Sequence, residues 1–274
     1  MPDFYTGTAG FRVPIIDDNT NADDLFSPQF ARGHDPSQYV RELFAAPHGM
    51  TLIPDSEWDA RYDEQEKTQS SLEHVYRRAG WENLDQNGHG YCWAYSTGAA
   101  VMLKRSAMGL PYVRLNPHSV AATIKRGRDE GGWCGLSLKY MRDDGIAVEG
   151  NGPGQWPLHS RNTANLTAEC KANMALHRVT DDWYDLGRPE YGQQLTRQQL
   201  ATCLFSNNPC PTDFNWWGHS VCSLRFVRVE RGSWGLMILN SWKGWGDRGL
   251  AVLRGSKAVP DGAVGVVNTL ASNS

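Results

Sequence analysis

Cysteine is sparse in this chain: six residues in 274, too few for a fold built on disulfides. Basic residues form no extended block. The densest run, Lys125-Arg126-Gly127-Arg128, meets Asp129 and Glu130 at once and reads as a solvated loop. With a net charge of −3, the chain offers no basic face for nucleic acid. No apolar run approaches the roughly 18 residues of a membrane span. The start, Met1-Pro2-Asp3-Phe4-Tyr5, lacks a basic stretch followed by an apolar one, so no secretory signal is seen. These absences lead to the expectation of a non-secreted protein, cytoplasmic or within a virus-like assembly, without nucleic-acid or membrane partners. Repeats and low-complexity tracts are also lacking. What remains is an ordinary globular composition, 40% hydrophobic and 21% charged, with eleven tryptophans.

Residues 1–50 differ from the rest. Asp17-Asp18-Asn19-Thr20-Asn21 and His34-Asp35-Pro36-Ser37 are polar and turn-prone, and Val13-Pro14-Ile15-Ile16 and Leu43-Phe44 are apolar islands between them. The segment reads as an extended or irregular arm that docks on the main domain or on a partner. Residues 51–274 form the main domain. Leu72, Val75 and Tyr76 share one helical face. Good helix formers follow residue 92 up to Gly109 and Pro111, and a second helix spans Leu136 to Met141, ending at Asp143-Asp144-Gly145. The runs Val221 to Val229, Trp234 to Leu239 and Leu250 to Arg254 are β-prone. Helices first and strands later indicate an α+β fold.

Three segments carry chemistry. In Gln86-Asn87-Gly88-His89-Gly90-Tyr91-Cys92-Trp93-Ala94-Tyr95-Ser96, Cys92 opens a helix, where unpaired N–H groups and the helix dipole favour a thiolate. The Gln86 amide and the Cys92 N–H together make a candidate oxyanion hole. In Trp217-Gly218-His219-Ser220-Val221, His219 starts a strand and is a candidate base. In Asn240-Ser241-Trp242-Lys243-Gly244-Trp245-Gly246, Asn240 can fix the His219 ring, and Trp242 can shield that bond from water. Each motif alone has a plain structural reading: an inert buried cysteine, a core histidine, a turn. A zinc reading also exists, since His89 with Cys92 and His219 with Cys222 give a two-Cys, two-His set. It leaves Gln86, Asn240 and the Trp-Gly elements unexplained, so neither a metal nor a cofactor is expected.

At these residues the sequence resembles the papain/cathepsin family of cysteine peptidases. That pattern has Gln, five residues, then Cys-Trp-Ala-Phe-Ser, against Gln86 to Ser96 here with Tyr95 for Phe. It continues with an apolar-flanked His before a small residue and Val, and with Asn-Ser-Trp before Gly-Trp-Gly, which His219-Ser220-Val221 and Asn240 to Gly249 match. The resemblance covers roughly residues 51–274, from Ile53-Pro54-Asp55-Ser56-Glu57-Trp58-Asp59 onward. It implies a two-lobed α+β fold with its site in the cleft between a helical and a β-rich lobe. It further implies Gln86 for the oxyanion, Cys92 as nucleophile, His219 as base, Asn240 as orienter, and peptide or protein as substrate. Gly131-Gly132 falls where the family binds substrate backbone; its plain alternative is a loop before the helix at Leu136.

The departures are informative. His89 and, approximately, Asp129 stand where the family has a disulfide. An insertion is expected between Trp58 and Gln86. The segment Asn207 to Trp217 is abbreviated. Residues 1–50 show no helical inhibitory propeptide. The first functional reading is therefore a cysteine peptidase. The alternative is a structural or interaction module of a larger assembly, such as a virus or phage particle, docking through residues 1–50. Transfer of the acyl group to an amine by the same triad is a third.

Overall fold

The computed structural model describes residues 3–7, 10–20, 32–38, 51–180, 183–186, 195–230 and 232–270. The Leu43-Phe44 island lies outside them. Strands β1 (Phe4–Thr6) and β2 (Arg12–Ile16) come first. Helices α1 (Trp58–Thr68), α2 (Leu72–Ala79), α3 (Cys92–Ala107), α4 (His118–Ile124), α5 (Cys134–Asp143) and α6 (Ala168–Ala175) follow. Then come β3 (Trp183–Leu186), α7 (Arg197–Phe205), β4 (Cys210–Phe214), β5 (His219–Glu230), β6 (Ser233–Leu239), β7 (Leu250–Leu253) and β8 (Gly262–Val266). The sheet runs β1-β2-β7-β6-β5-β4-β8-β3. Every pairing is antiparallel except β2 with β7. The α+β class stands.

Helix α3 is buried on nearly every side, so its sequence is apolar all round and shows no amphipathic stripe. It packs on β5, which is itself buried from His219 to Val227. This contact brings the first residue of α3, Cys92, against Ser220, the residue after His219 at the start of β5. The stretch between Trp58 and Gln86 holds α1 and α2. Ser71 caps α2, and Gly80 closes it in the left-handed region at φ 64°. Among the described residues, no helix is long and apolar enough to cross a membrane.

The arm is not irregular throughout. Val13-Pro14-Ile15-Ile16 lies in β2, whose ladder with β7 pairs Ile15 with Val252 and Ile16 with Leu253. Pro14 has no N–H to give, so pairing with β7 starts at the residue after it. Val13, Ile15 and Ile16 are buried in the main core. This island is thus part of the domain itself.

Candidate active site

The loop before α3 is held by hydrogen bonds where the resembled family has a disulfide. Gly90 N donates to Asp129 Oδ1 at 2.7 Å, and the Tyr91 hydroxyl donates to Arg128 O at 2.7 Å. All six cysteines are buried free thiols. His89 turns toward Gln86 O and the His118 ring. Among the described residues, no group of three or more His, Cys, Asp or Glu is placed to hold a metal ion.

The His219–Asn240 pair fixes a tautomer. Asn240 Oδ1 lies 2.8 Å from His219 Nε2 and also receives the Ser241 N–H at 2.7 Å. An atom that accepts a backbone N–H is the amide oxygen, so His219 Nε2 must carry a proton and donate. Nδ1 is then the basic nitrogen of the neutral ring. Trp242 stacks on the ring at 4.3 Å between centroids, and Trp217 meets it edge-on at 4.8 Å. The pair is shut away from water, which strengthens it. Gln86 is fully buried; its Oε1 accepts from Ser241 Oγ at 2.7 Å and its Nε2 donates to His89 O at 2.6 Å. Those two bonds set the amide plane, and the nitrogen carries two hydrogens.

Sequence reasoning missed what covers Cys92. Residues 32–35 of the arm run across the cleft as a strap. Gly132 N donates to Gly33 O at 2.7 Å, Asp35 N to Gly132 O at 2.9 Å, and His34 N to Gly218 O at 3.2 Å. The strap thereby adds a short parallel bridge, His34 to Gly132. Two glycines make this approach feasible. A Cβ on Gly33 would lie 1.9 Å from Gly90 O, and one on Gly132 would lie 2.7 Å from the Trp93 ring.

Cys92 is wholly buried under this cover. Burial pushes its thiol up to about 11. The N–H groups of Ser220 and Gly33 are hydrogen-bonded to the sulfur and oppose that rise, while Asp213 adds to it. The helix N-terminus was expected to favour a thiolate; desolvation outweighs it while the strap is in place.

Asp213 and His34 also carried no motif. Asp213 sits on β4, buried, and accepts from the Cys134 thiol at 3.1 Å and from the Ser220 hydroxyl. The His34 side chain is fully enclosed, with Nδ1 at 3.4 Å from Asp213 Oδ1 and Nε2 at 2.8 Å from Asn215 Oδ1. Burial works to lower the His34 pKa, but Asp213 and Asn215, with Asp261 further out, carry it above its ordinary value. A buried acidic residue in the strand before the candidate base, and a Gly-His pair in the arm, were the only signals available.

The sign of the linkage follows. A raised folded value means that the charge-assisted docking of His34 is fully present below its ordinary value of 6.5 and is lost as pH rises through the raised one. The groups facing the ring are Asp213 and Asp261, with the Cys134 and Cys92 thiols beyond Asp213. The strap is expected to lift more often at alkaline pH. The measure is the Cys92 alkylation rate of the wild type divided by that of His34→Leu, which cancels the thiol's own ionisation. The ratio should climb between about pH 5 and about pH 9. A flat ratio would remove the His34 charge from docking.

No family model matches the chain, and no curated protein does either. Solved structures do. A digestive procathepsin L 3 of Tenebrio molitor larval midgut superposes with a TM-score of 0.58 at 16% identity, covering 91% of this chain and 80% of that one. Xylellain, a cysteine protease from Xylella fastidiosa, gives 0.58 at 14% identity, covering 88% and 98%. A structure from work on the mite allergens Blo t 1 and Der p 1 gives 0.60 at 15% identity, covering 96% and 87%. At such identities the likeness speaks to architecture, and the chain has the papain-like α+β fold of cysteine proteases.

Proposed function

We propose that the chain is a cysteine peptidase held latent by its own arm. The observation that carries this reading is the His219 tautomer: Asn240 Oδ1 accepts the hydrogen bond from Nε2–H and leaves Nδ1 as the base, on the strand that begins against Cys92. With the strap lifted, the thiol loses part of its burial, and the dipole of α3 and the His219 base favour thiolate and imidazolium. The thiolate attacks a peptide carbonyl carbon. The Cys92 N–H and a Gln86 Nε2–H hold the resulting oxyanion. His219 Nδ1–H then protonates the departing amine, and the acyl group leaves to water that His219 deprotonates.

The strap reads as a cover: at the sulfur it presents the Gly33 N–H, and the Gly33 oxygen is committed to Gly132. Gly131 and Gly132 would pair in the same way with a substrate backbone once the strap has gone, and Trp242 would form the wall beside the reacting centre.

Cys92→Ala is expected to lower peptide hydrolysis by about three orders of magnitude or more, with thermal unfolding unchanged within error. The assay is turnover of unstructured fluorogenic peptides by purified protein. Hydrolysis near the wild-type rate in this variant would sink the mechanism.

A further inference from the structure

We propose that the recess now filled by His34 is a cation-selecting subsite, so that the chain acts on polypeptides presenting Lys, Arg or His there. The inference rests on the peptidase reading for its use, but its geometry stands apart. The recess lies one residue along the strap from Gly33, which covers the sulfur, and it opens beside Gly132, whose N–H and C=O hold the strap on either side of His34. A chain that took the strap's place in the bridge to Gly132 would put a side chain where the imidazole now sits.

The recess is built for positive charge. Asp213 is buried at its end, and Asn215 offers an amide oxygen at its side. Both atoms facing the imidazole are oxygens, Asp213 Oδ1 at an ion-pair distance of 3.4 Å and Asn215 Oδ1 at a hydrogen-bond distance of 2.8 Å, surroundings that favour a cation. The other partners of Asp213, the Ser220 hydroxyl and the Cys134 thiol, are neutral donors. An occupant without charge would leave a buried carboxylate with no countercharge, a costly arrangement, while an acidic occupant would add repulsion. Asp261, which accepts from Asn215 N at 2.7 Å, adds a second negative charge toward the rim. The arm thus carries in His34 a side chain matched to the recess.

The test uses the full chain with alkylation of Cys92 by a small neutral electrophile, which reads how often the recess empties. His34→Leu keeps the bulk and removes the charge; it should raise the rate at least about tenfold, while His34→Lys should stay within about threefold of wild type. In an Asp213→Asn background the gap between Leu and Lys should close. Should that background fail to fold, the His34 series in the native recess decides alone. A second arm uses Gly33→Ala protein and peptides carrying Lys, Arg, His, Leu or Glu at each position flanking the scissile bond. A cation preference in kcat/KM of at least about tenfold is expected at one position. A His34→Leu rate at or below that of His34→Lys overturns the proposal, and so does cleavage without a cation preference. Retention of the His34 series order with no peptide cleaved by any variant upholds the cation-selecting recess and overturns the peptidase reading instead.

Discussion

Replacing Gly33 by alanine is expected to raise the alkylation rate of Cys92 roughly ten- to hundredfold, and peptide hydrolysis with it. The reason is steric and local. The added methyl would sit 1.9 Å from Gly90 O and 2.3 Å from its carbonyl carbon. Those are backbone atoms of the loop that enters α3, and that loop is held by the Gly90–Asp129 bond. Neither side can give way cheaply, so the strap must lift. Overpacking of this kind costs about 1–3 kcal/mol, and each 1.4 kcal/mol is a tenfold change in the open fraction. None of the proposed catalytic groups is altered. The comparison is Ser37→Ala on the exposed part of the same segment, where the Ser37 N–H and hydroxyl both donate to Asp35 and no change is expected. Unchanged Cys92 reactivity in folded Gly33→Ala protein would show that the strap does not control access.

The contrast between what could and could not be read from the chain has a physical basis. α3, α5, β5, β6 and β7 lie where their apolar runs and stop signals place them, because each is buried by regular packing and its pattern is local. The candidate site residues were legible for a related reason: His219, Asn240 and Gln86 stand in short segments rich in Gly and Trp that tolerate few alternatives. β2 and β4 were opaque because Pro14, Pro211 and Asp213 are residues that strands usually avoid. Each is accommodated by context: Pro14 ahead of the ladder with β7, and Asp213 by side-chain donors in the recess. The strap was invisible because its pairing partners, Gly132 and Gly218, are far away in sequence and bind through backbone atoms, which leave no side-chain pattern. The arm was read as an extended or irregular segment docking on the main domain or on a partner through its apolar islands; the polar His34 is also docked, by burial against Asp213 and Asn215.

The strap and the sheet extension also bear on how the proposed latency would be built. The segment that crosses the cleft lies between β2, which is hydrogen-bonded into the sheet, and the main domain that begins near Ile53. Among the described residues, opening the cleft breaks the bonds that Gly33, His34 and Asp35 make across it. The contacts of Val13, Ile15 and Ile16 in the core can persist throughout. A local opening of this size draws on a small part of the total stability, which suits a reversible cover.

Arg225→Met is expected to destabilise the fold by about 3–5 kcal/mol, or on the order of 10 °C in Tm, while Arg228→Met on the same strand costs no more than about 1 kcal/mol. The two arginines differ in burial and not in partner type. Arg225 is 1% exposed, and its Nη1 lies 2.7 Å from Glu66 of α1 and 3.1 Å from Glu73 of α2. Glu73 also pairs with Arg77 at 2.9 Å, and Arg77 reaches Asp247 at 3.0 Å in the loop before β7. Removing Arg225 leaves Glu66 without its close cation in a nearly dry site, and the desolvation already spent on both carboxylates is no longer repaid. Arg228 pairs with Asp59 and Asp63, but those side chains are 66% and 61% exposed, so water takes over when the arginine goes. The network matters for the site because it clamps α1 and α2 onto β5, the strand that carries His219 at its start. Thermal or urea unfolding of both variants checks the difference. Equal losses from Arg225→Met and Arg228→Met would mean that burial does not govern these ion pairs and that the clamp on β5 lies elsewhere.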